Sequence, residues 1–253
     1  MSPDLVRIRG LSFAYPAAAS RGSVLANLDL DIRKGSVHSI VGPNGCGKTT
    51  LLRLIAGLEK PAAGRVEFLG ATDHENRTAL VFQNPRLIPW WNVERNIAIG
   101  AEFSDKSSEL YRKVRDFNTR RVGLDAVSDR PPHELSLGQQ TIAGLGRGLA
   151  HDAEILLLDE PFAHLDAITR RRFYGEFETH WQIDPRTVVL VTHDVDEAVT
   201  LSDRVSVMGR GPGPLITTIE VDADRPRVGI SPAHAGIRAA TAWVWDALER
   251  SDR

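Results

Sequence analysis

The sequence holds a single cysteine, Cys46, among its 253 residues. One cysteine cannot form an internal disulfide, so a reducing compartment is the natural home of this chain. The first ten residues lack a basic segment followed by an apolar run, and no stretch reaches the ~18 apolar residues of a membrane-spanning helix. We therefore expect a chain that has no secretory signal and that meets a membrane only through partners.

An excess of positive charge is also missing. Lys and Arg number 31 against 33 Asp and Glu, and the formal net charge is −2. Proteins that bind nucleic acid usually carry a basic stripe, so we expect no nucleic-acid partner, although a local anion site is compatible with this balance. With 42% hydrophobic and 25% charged residues, the composition is that of a globular chain long enough for one large α/β domain or two small ones.

Two kinds of hydrophobic pattern predict the elements of the fold. Alternation over 5–13 and 24–32 predicts antiparallel strands with one wet face, while the short β-favouring or continuous apolar runs 37–41, 155–159 and 187–192 predict buried parallel strands. Helices are predicted at 49–56, 109–122, 136–150, 166–182, 194–202 and about 232–250. Because strands alternate with helices, the predicted class is α/β with a covered parallel sheet. The predicted layout is an α/β core (1–82 and 151–210), a helical insertion (83–150) and a C-terminal strand and helix (211–253).

The stretch "VGPNGCGKTT" fits the pattern G-x-x-x-x-G-K-[ST] between an apolar run and a helical pattern. Glycines let successive backbone N–H groups turn toward phosphates, the lysine reaches the outer phosphates, and the threonine hydroxyl is a ligand for Mg²⁺. A glycine-rich turn before a helix is the alternative, and the strand–loop–helix context favours nucleotide binding. The predicted nucleotide-binding residues are Gly42, Pro43, Asn44, Gly45, Cys46, Gly47, Lys48, Thr49 and Thr50.

Polar side chains follow two of the predicted buried strands. Asp159 and Glu160 come at the end of "ILLLDE", where the first is predicted to hold Mg²⁺ and the second to orient or deprotonate an attacking water. His193 follows "VVLVT", at the carboxyl edge where open α/β sheets bind ligands, and is predicted to contact the γ-phosphate. An ordinary surface acid is the alternative for Glu160, and a structural histidine for His193.

With these motifs in order, the chain resembles the ATP-binding subunit of an ABC transporter over nearly its whole length. The resemblance implies a P-loop NTPase fold of ABC type, with a mixed sheet core, an antiparallel β subdomain and a helical insertion. It implies an ATPase that uses ATP and Mg²⁺. On the matching motifs, Tyr15 stacks on adenine, while Gln83 senses Mg²⁺ and couples the site to a membrane subunit.

The resemblance also implies a dimer that sandwiches two ATP molecules. The stretch "LSLGQ" (135–139) is similar to the family signature, so Ser136, Gly138 and Gln139 contact the nucleotide held by the second copy, and Asp166 crosses the interface. Implied partners are a second copy, integral membrane permease subunits and, indirectly, a solute-binding protein, with the chain peripheral on the cytoplasmic face of the membrane. The segments around Gln83 and His193 and the tail "VDADRPR" are most similar to importers of nitrate, sulfonates, taurine or related small solutes.

The chain departs from the family pattern at the signature and in the helix after it. Leu137 replaces a usual glycine, and Gly144, Gly146 and Gly148 each cost about 1 kcal/mol against Ala in a helix interior. We expect a helix all the same, with close packing at Gly144 and looseness at Gly148. In "PWW", one of the adjacent indoles of Trp90 and Trp91 is expected to be exposed, because neighbouring side chains point to different sides.

Two other functions stay open at this point. A soluble ABC-type ATPase that serves repair, translation or cluster assembly is one alternative, although the single domain, the absence of a basic stripe and the importer-like Gln83 segment count against it. A catalytically weak nucleotide-binding module is the other alternative, which the altered signature helix favours and which the intact Glu160 and His193 oppose.

Overall fold

The computed structural model describes residues 3–16, 22–70, 77–102, 124–229 and 234–251. The chain divides into two compact units: a first unit of Met1–His74 with Glu178–Arg253, and a second unit of Glu75–Phe177. The helix predicted over 109–122 lies outside the described residues. Among the described helices, none combines the length and the apolar character needed to cross a bilayer.

An antiparallel sheet of three strands opens the first unit. Strand β1 (Asp4–Phe13) lies between β2 (Leu25–Arg33) and β4 (Ala63–Phe68). The two strands predicted from alternation are confirmed. Strand β4 was not predicted, because its residues are exposed or half-buried and show no apolar alternation.

Parallel strands form the buried part of the first unit. Strand β3 (Val37–Val41) lies between β7 (Thr187–Thr192) and β8 (Arg204–Met208), and β9 (Leu215–Glu220) runs antiparallel to β8. Every residue of β3 and β7 is buried, which explains the continuous apolar run of β7 and the lack of charged residues in β3. The helices of this unit are α1 (Lys48–Ile55), α5 (Val195–Leu201) and α6 (Ala235–Ser251).

One buried histidine lies inside this sheet. His38 shares a hydrogen bond of 2.7 Å between its Nε2 and the Ser206 hydroxyl. Burial, with a smaller effect from nearby arginines, lowers the pKa of His38 to about 3. The imidazole is therefore neutral at physiological pH and belongs to the core rather than to a site.

The tail motif "RPR" anchors the segment after β9 in the first unit. The buried carboxylate of Glu178 accepts hydrogen bonds from the backbone N–H groups of Arg227 and Val228 at 2.7–2.8 Å. It also accepts a hydrogen bond from the Arg225 guanidinium at 3.3 Å, and that guanidinium donates to Asp203 as well. Because every charge in this cluster has a partner, the tail residues have a structural role in this unit.

The second unit is built on a short parallel pair and a set of helices. Strand β5 (Thr78–Val81) pairs with β6 (Ile155–Asp159). Helix α2 (Val93–Glu102) and helix α3 (Leu137–Ala150) pack on each other, and α4 (Ala167–Ile183) begins in this unit. Neither β5 nor α2 was predicted: β5 has four residues, and α2 carries β-branched residues and a glycine that weaken a helical pattern.

Helix α3 is regular through Gly144, Gly146 and Gly148. A Cβ added at Gly144 would lie 2.9 Å from Cβ of Pro85, so the expected close packing is confirmed there. The expectation of looseness at Gly148 is wrong. A Cβ at Gly148 would lie 2.4 Å from Cγ2 of Val81, because the unpredicted strand β5 passes directly against this turn of the helix.

Alanine at either position is therefore expected to destabilise the chain. Overpacking of this kind costs about 1–3 kcal/mol, which exceeds the gain of about 1 kcal/mol in helix propensity. We expect Gly144→Ala and Gly148→Ala to lower the urea midpoint. Gly138→Ala in the same helix is the control, because its Cβ would meet Leu165 at an ordinary 3.4 Å. A raised midpoint for Gly148→Ala would show that Val81 yields and that the packing is not tight.

Candidate functional site

The glycine loop between β3 and α1 has the conformation that its sequence requires. Gly45 and Gly47 have φ values of 81° and 107°, in the left-handed region that L side chains disfavour. Helix α1 begins at Lys48, so its N-terminal N–H groups face the loop. The Lys48 side chain is only 5% exposed, and its Nζ donates to the carbonyl oxygens of Gly42 and Pro43 at 2.8 and 3.1 Å. Two carbonyl oxygens of the loop thus hold the Lys48 ammonium group within the loop.

The side chains of the two threonines after Lys48 differ in their surroundings. Thr49 is exposed, as a residue that meets a ligand must be. Thr50 is buried, and its hydroxyl lies 3.2 Å from the Tyr15 hydroxyl. Phe13 packs edge-to-face on the Tyr15 ring with centroids 4.8 Å apart. Thr50 and Phe13 therefore fix the half-buried Tyr15 ring beside the start of α1.

Cys46 contributes its backbone to the loop rather than its thiol. The side chain is buried, and its Sγ would lie 2.9 Å from a Cβ placed on Gly42. Burial raises the pKa of the Cys46 thiol, so the thiol stays neutral at physiological pH.

His193 lies at the same edge of the parallel sheet as the glycine loop. Val41 of β3 pairs in register with Thr192 of β7, so Gly42 and His193 leave the sheet side by side. The His193 side chain is exposed. The first unit thus brings His193, the loop and Tyr15 to positions from which one nucleotide can be bound.

A strained carboxylate follows β6 in the second unit. Asp159 is buried at the end of this strand, and Glu160 after it adopts φ = 46°. The left-handed region is unfavourable for a non-glycine residue by about 1–3 kcal/mol and is typical of functional sites. Because Val81 pairs with Leu158, Gln83 comes beside Glu160, and its Nε2 donates to Oε2 of Glu160 at 3.1 Å. The sequence placed both residues in a nucleotide site but gave no sign that they touch.

The signature residues form the start of α3. Ser136 caps the helix by accepting from the backbone N–H of Gln139 at 3.2 Å, and Oε1 of Gln139 accepts from the backbone N–H of Ser136 at 3.0 Å. The Gln139 side-chain oxygen is therefore engaged in holding the helix end. Leu137 is 49% exposed, and Ser136 is exposed beside it. A capped, accessible helix N-terminus is suited to an anion.

Asp166 caps α4 and is exposed. It accepts hydrogen bonds from the backbone N–H groups of Ile168 and Thr169 at 3.1 and 3.0 Å. Hydrogen bonding from Thr169 lowers the pKa of Asp166, so the side chain is charged at neutral pH. An exposed, fixed anion is available to a partner at this place.

Two residues that the sequence did not single out shape the segment after Gln83. Arg147 of α3 donates to the carbonyl oxygens of Pro85 and Arg86. Asn96 is fully buried; its amide donates to the carbonyls of Ile88, Trp91 and Asn92, and its oxygen accepts from the Ile88 N–H. The signal that could have found Asn96 is an asparagine in the first turns of a helix. A buried amide needs several hydrogen-bond partners, and the backbone groups before the helix supply them.

These features define a P-loop nucleotide-binding protein. In it, the strained Glu160 directly follows the apolar strand β6, which ends at Asp159. The protein-family model described as ABC transporter matches residues 25–163, more than half of the chain. The chain belongs to the ABC transporter family, and it is an ATPase of the ATP-binding cassette type.

Similar proteins carry importer names. An aliphatic sulfonates import ATP-binding protein of Paraburkholderia xenovorans is 43% identical over 210 residues, which cover 83% of this chain and 79% of that protein. A nitrate import ATP-binding protein of Synechococcus elongatus is 42% identical over 208 residues, which cover 80% of this chain and only 32% of that longer protein.

A solved structure gives the same fold. A dimeric ATP-binding cassette in a post-hydrolysis state, bound to ADP and Pi, has a TM-score of 0.75 and 27% identity, and the match covers 87% of this chain and all of that one. The predicted fold, a P-loop NTPase of ABC type, is confirmed.

Proposed function

We propose that this chain is the ATP-hydrolysing motor subunit of an ABC importer for a small solute, such as nitrate, a sulfonate or taurine. The observation that carries hydrolysis is Glu160, held in a left-handed conformation after Asp159 and hydrogen-bonded to Gln83. Backbone strain at a non-glycine residue is typical of active sites, which favours an ATPase over a nucleotide-binding module without hydrolysis. The importer role is supported by the names of the sulfonate and nitrate relatives.

In the proposed reaction, water attacks the γ-phosphorus of ATP and the bond from this phosphorus to the bridging oxygen breaks. The products are ADP and inorganic phosphate. Lys48 neutralises the outer phosphates, and His193 contacts the γ-phosphate. Glu160 accepts a hydrogen bond from the attacking water and takes its proton. Ser136 and Gly138 of a second copy present the start of α3 to the same γ-phosphate, and Tyr15 stacks on the adenine.

We propose Mg²⁺ as the metal, with Thr49, Asp159 and Gln83 as its protein contacts. A hydroxyl, a carboxylate and an amide oxygen suit a hard cation that is otherwise held by nucleotide phosphates and water. No cluster of three or more His, Cys, Asp or Glu that could hold a metal occurs within the described part of the chain. This fits an ion that enters with the nucleotide and not a resident protein cage. The ion would neutralise charge on the phosphates during transfer.

The proposed assembly is a homodimer on the cytoplasmic face of a membrane, bound to permease subunits and indirectly served by a solute-binding protein. The exposed Asp166 and the accessible start of α3 support a second copy, as does the dimeric cassette of similar structure. We also propose that the chain divides into three parts: a core (1–82 and 151–210), a helical part (83–150) and a C-terminal part (211–253).

Reconstitution tests the importer function. The chain would be co-expressed with the permease and solute-binding genes that neighbour its own, and the complex placed in liposomes with ATP inside. We expect ATP-dependent uptake of nitrate, taurine or another alkyl sulfonate, and an ATPase rate that rises with the loaded binding protein. Full ATPase activity that no permease complex binds or stimulates would favour a soluble ATPase instead.

Trp90 is the predicted contact for a permease subunit. Its indole is 79% exposed, whereas Trp91 is half-buried with the Arg95 guanidinium 4.3 Å above its ring. The expectation that one of the two indoles is exposed is confirmed. Asn96 fixes the backbone carbonyls around this turn, so the exposed indole sits on a rigid support. Rigid exposed Trp side chains are favoured at interface centres.

Trp90→Ala is expected to leave basal ATPase activity within a few-fold of wild type and to abolish ATP-driven uptake, because the anchor to the permease is lost. A pull-down with the permease subunits should recover less of the variant. Trp245→Ala is the matched control, since this indole of α6 is also exposed, at 53%. Equal recovery of the Trp90 variant and wild type would remove Trp90 from the interface.

A further inference from the structure

The loop Gly209–Pro214, between β8 and β9, packs against the glycine loop within the first unit. Directly before this loop, at the end of β8, the Met208 carbonyl oxygen lies 2.5 Å from where a Cβ on Gly42 would be. Near the end of the loop, Gly213 approaches so closely that a Cβ would lie 2.5 Å from the Cys46 carbonyl oxygen. The glycine loop is therefore approached closely at two separate points, by the end of β8 and by this supporting loop.

The contact at Cys46 determines the direction in which the backbone N–H of Gly47 points. In a trans peptide, the carbonyl oxygen and the following N–H point in opposite directions. The Cys46 carbonyl points toward Gly213, so the N–H of Gly47 points to the opposite side. In a phosphate-binding glycine loop, N–H groups of this kind are the ligands of the anion. A shift of the Cys46 carbonyl therefore rotates the Gly47 N–H.

The supporting loop is itself held in place. Its Pro212 carbonyl accepts from the Ala26 N–H at 3.0 Å, and its ends are joined by a hydrogen bond of 2.9 Å from Gly209 N–H to the Pro214 carbonyl. The Leu25 side chain fills the remaining space, since its Cδ2 would lie 2.8 Å from a Cβ on Gly213 and 2.7 Å from one on Gly47. A side chain at Gly213 thus has no free volume, and the displacement would pass to the glycine loop.

We propose that Gly213 is a positioning residue for ATP, and that the supporting loop sets the orientation of the Cys46–Gly47 peptide from behind. Any side chain at Gly213 would turn this peptide and weaken phosphate binding without touching the nucleotide. The proposal rests on residues 42–50 being the phosphate-binding loop. Lys48→Ala tests that assignment separately.

Gly213→Ala is the test, with ATP affinity measured by calorimetric titration and with kcat and KM measured separately. We expect an affinity about tenfold weaker, since misplacement by less than 1 Å has effects of this order. Stabilisation of the melting temperature by ATP should shrink accordingly. Because Gly213 has φ = 59°, alanine also adds backbone strain.

Gly35→Ala controls for that strain, because Gly35 has φ = 66° in the turn before β3 and open space around it. It should lower the melting temperature of the nucleotide-free protein to a similar degree while leaving ATP affinity unchanged. Gly211→Ala, also in open space, controls for a change in the supporting loop itself. Wild-type affinity in Gly213→Ala, or equal losses in Gly213→Ala and Gly35→Ala, would overturn the proposal. If Gly213→Ala does not fold at the assay temperature, the same titration at low temperature decides by the same outcomes.

Discussion

Glu160→Gln is expected to bind ATP as tightly as wild type and to lose about 10²- to 10⁴-fold in kcat, the range attributed to a general base. The amide keeps the size of the side chain but cannot accept the proton of the attacking water. It can still pair with Gln83, whose Nε2 donates to Oε2 of Glu160 at 3.1 Å. The backbone and the phosphate contacts therefore survive while the chemical step fails.

A stalled chemical step has a second consequence that can be measured. If two chains close on two ATP molecules, the variant should accumulate as an ATP-bound dimer in size-exclusion chromatography, while wild type returns to its starting state. Glu249→Gln is the control, because it makes the same change on an exposed side chain of α6. Undiminished steady-state hydrolysis by the Glu160 variant would remove Glu160 from catalysis.

Lys48→Ala is expected to weaken the binding of ATP, and not only to slow its hydrolysis. Hydrogen bonds to a charged group contribute about 1.5–3 kcal/mol each, so loss of the ammonium is expected to weaken ATP binding by about 10- to 100-fold. The nucleotide-free protein should lose a little stability as well, because the carbonyls of Gly42 and Pro43 lose the donor that they share.

Lys60→Ala separates this effect from a general loss of positive charge. Lys60 is exposed in the segment after α1, and its removal should leave ATP affinity unchanged. Titration with ATP in the absence of hydrolysis measures both variants. A Lys48 variant with wild-type affinity would contradict the assignment of residues 42–50, and with it the role proposed for Gly213.

Those parts of the protein whose chemistry is local could be predicted from the sequence. A phosphate loop needs its glycines, lysine and threonine at fixed spacing, so Gly42 to Thr49 could be assigned without knowledge of the rest of the chain. Strands buried on both faces are built from β-favouring and apolar residues, so β3, β6 and β7 were found within their observed bounds. The helix predicted over 136–150 was also found, as α3 (Leu137–Ala150).

Tertiary structure alone decided which backbones come close. Strand β5 is too short to carry a pattern, yet it explains both the tight packing at Gly148 and the contact of Gln83 with Glu160. Gly213 and Cys46 lie far apart in the sequence, and nothing in either segment signals that they touch. Burial of side chains produces a periodic pattern of apolar residues in the sequence, but contact between two backbones produces no such pattern. Such contacts are set by packing of the whole unit, and they fix the Cys46–Gly47 peptide and the Glu160 carboxylate, to which we assign roles in the binding and hydrolysis of ATP.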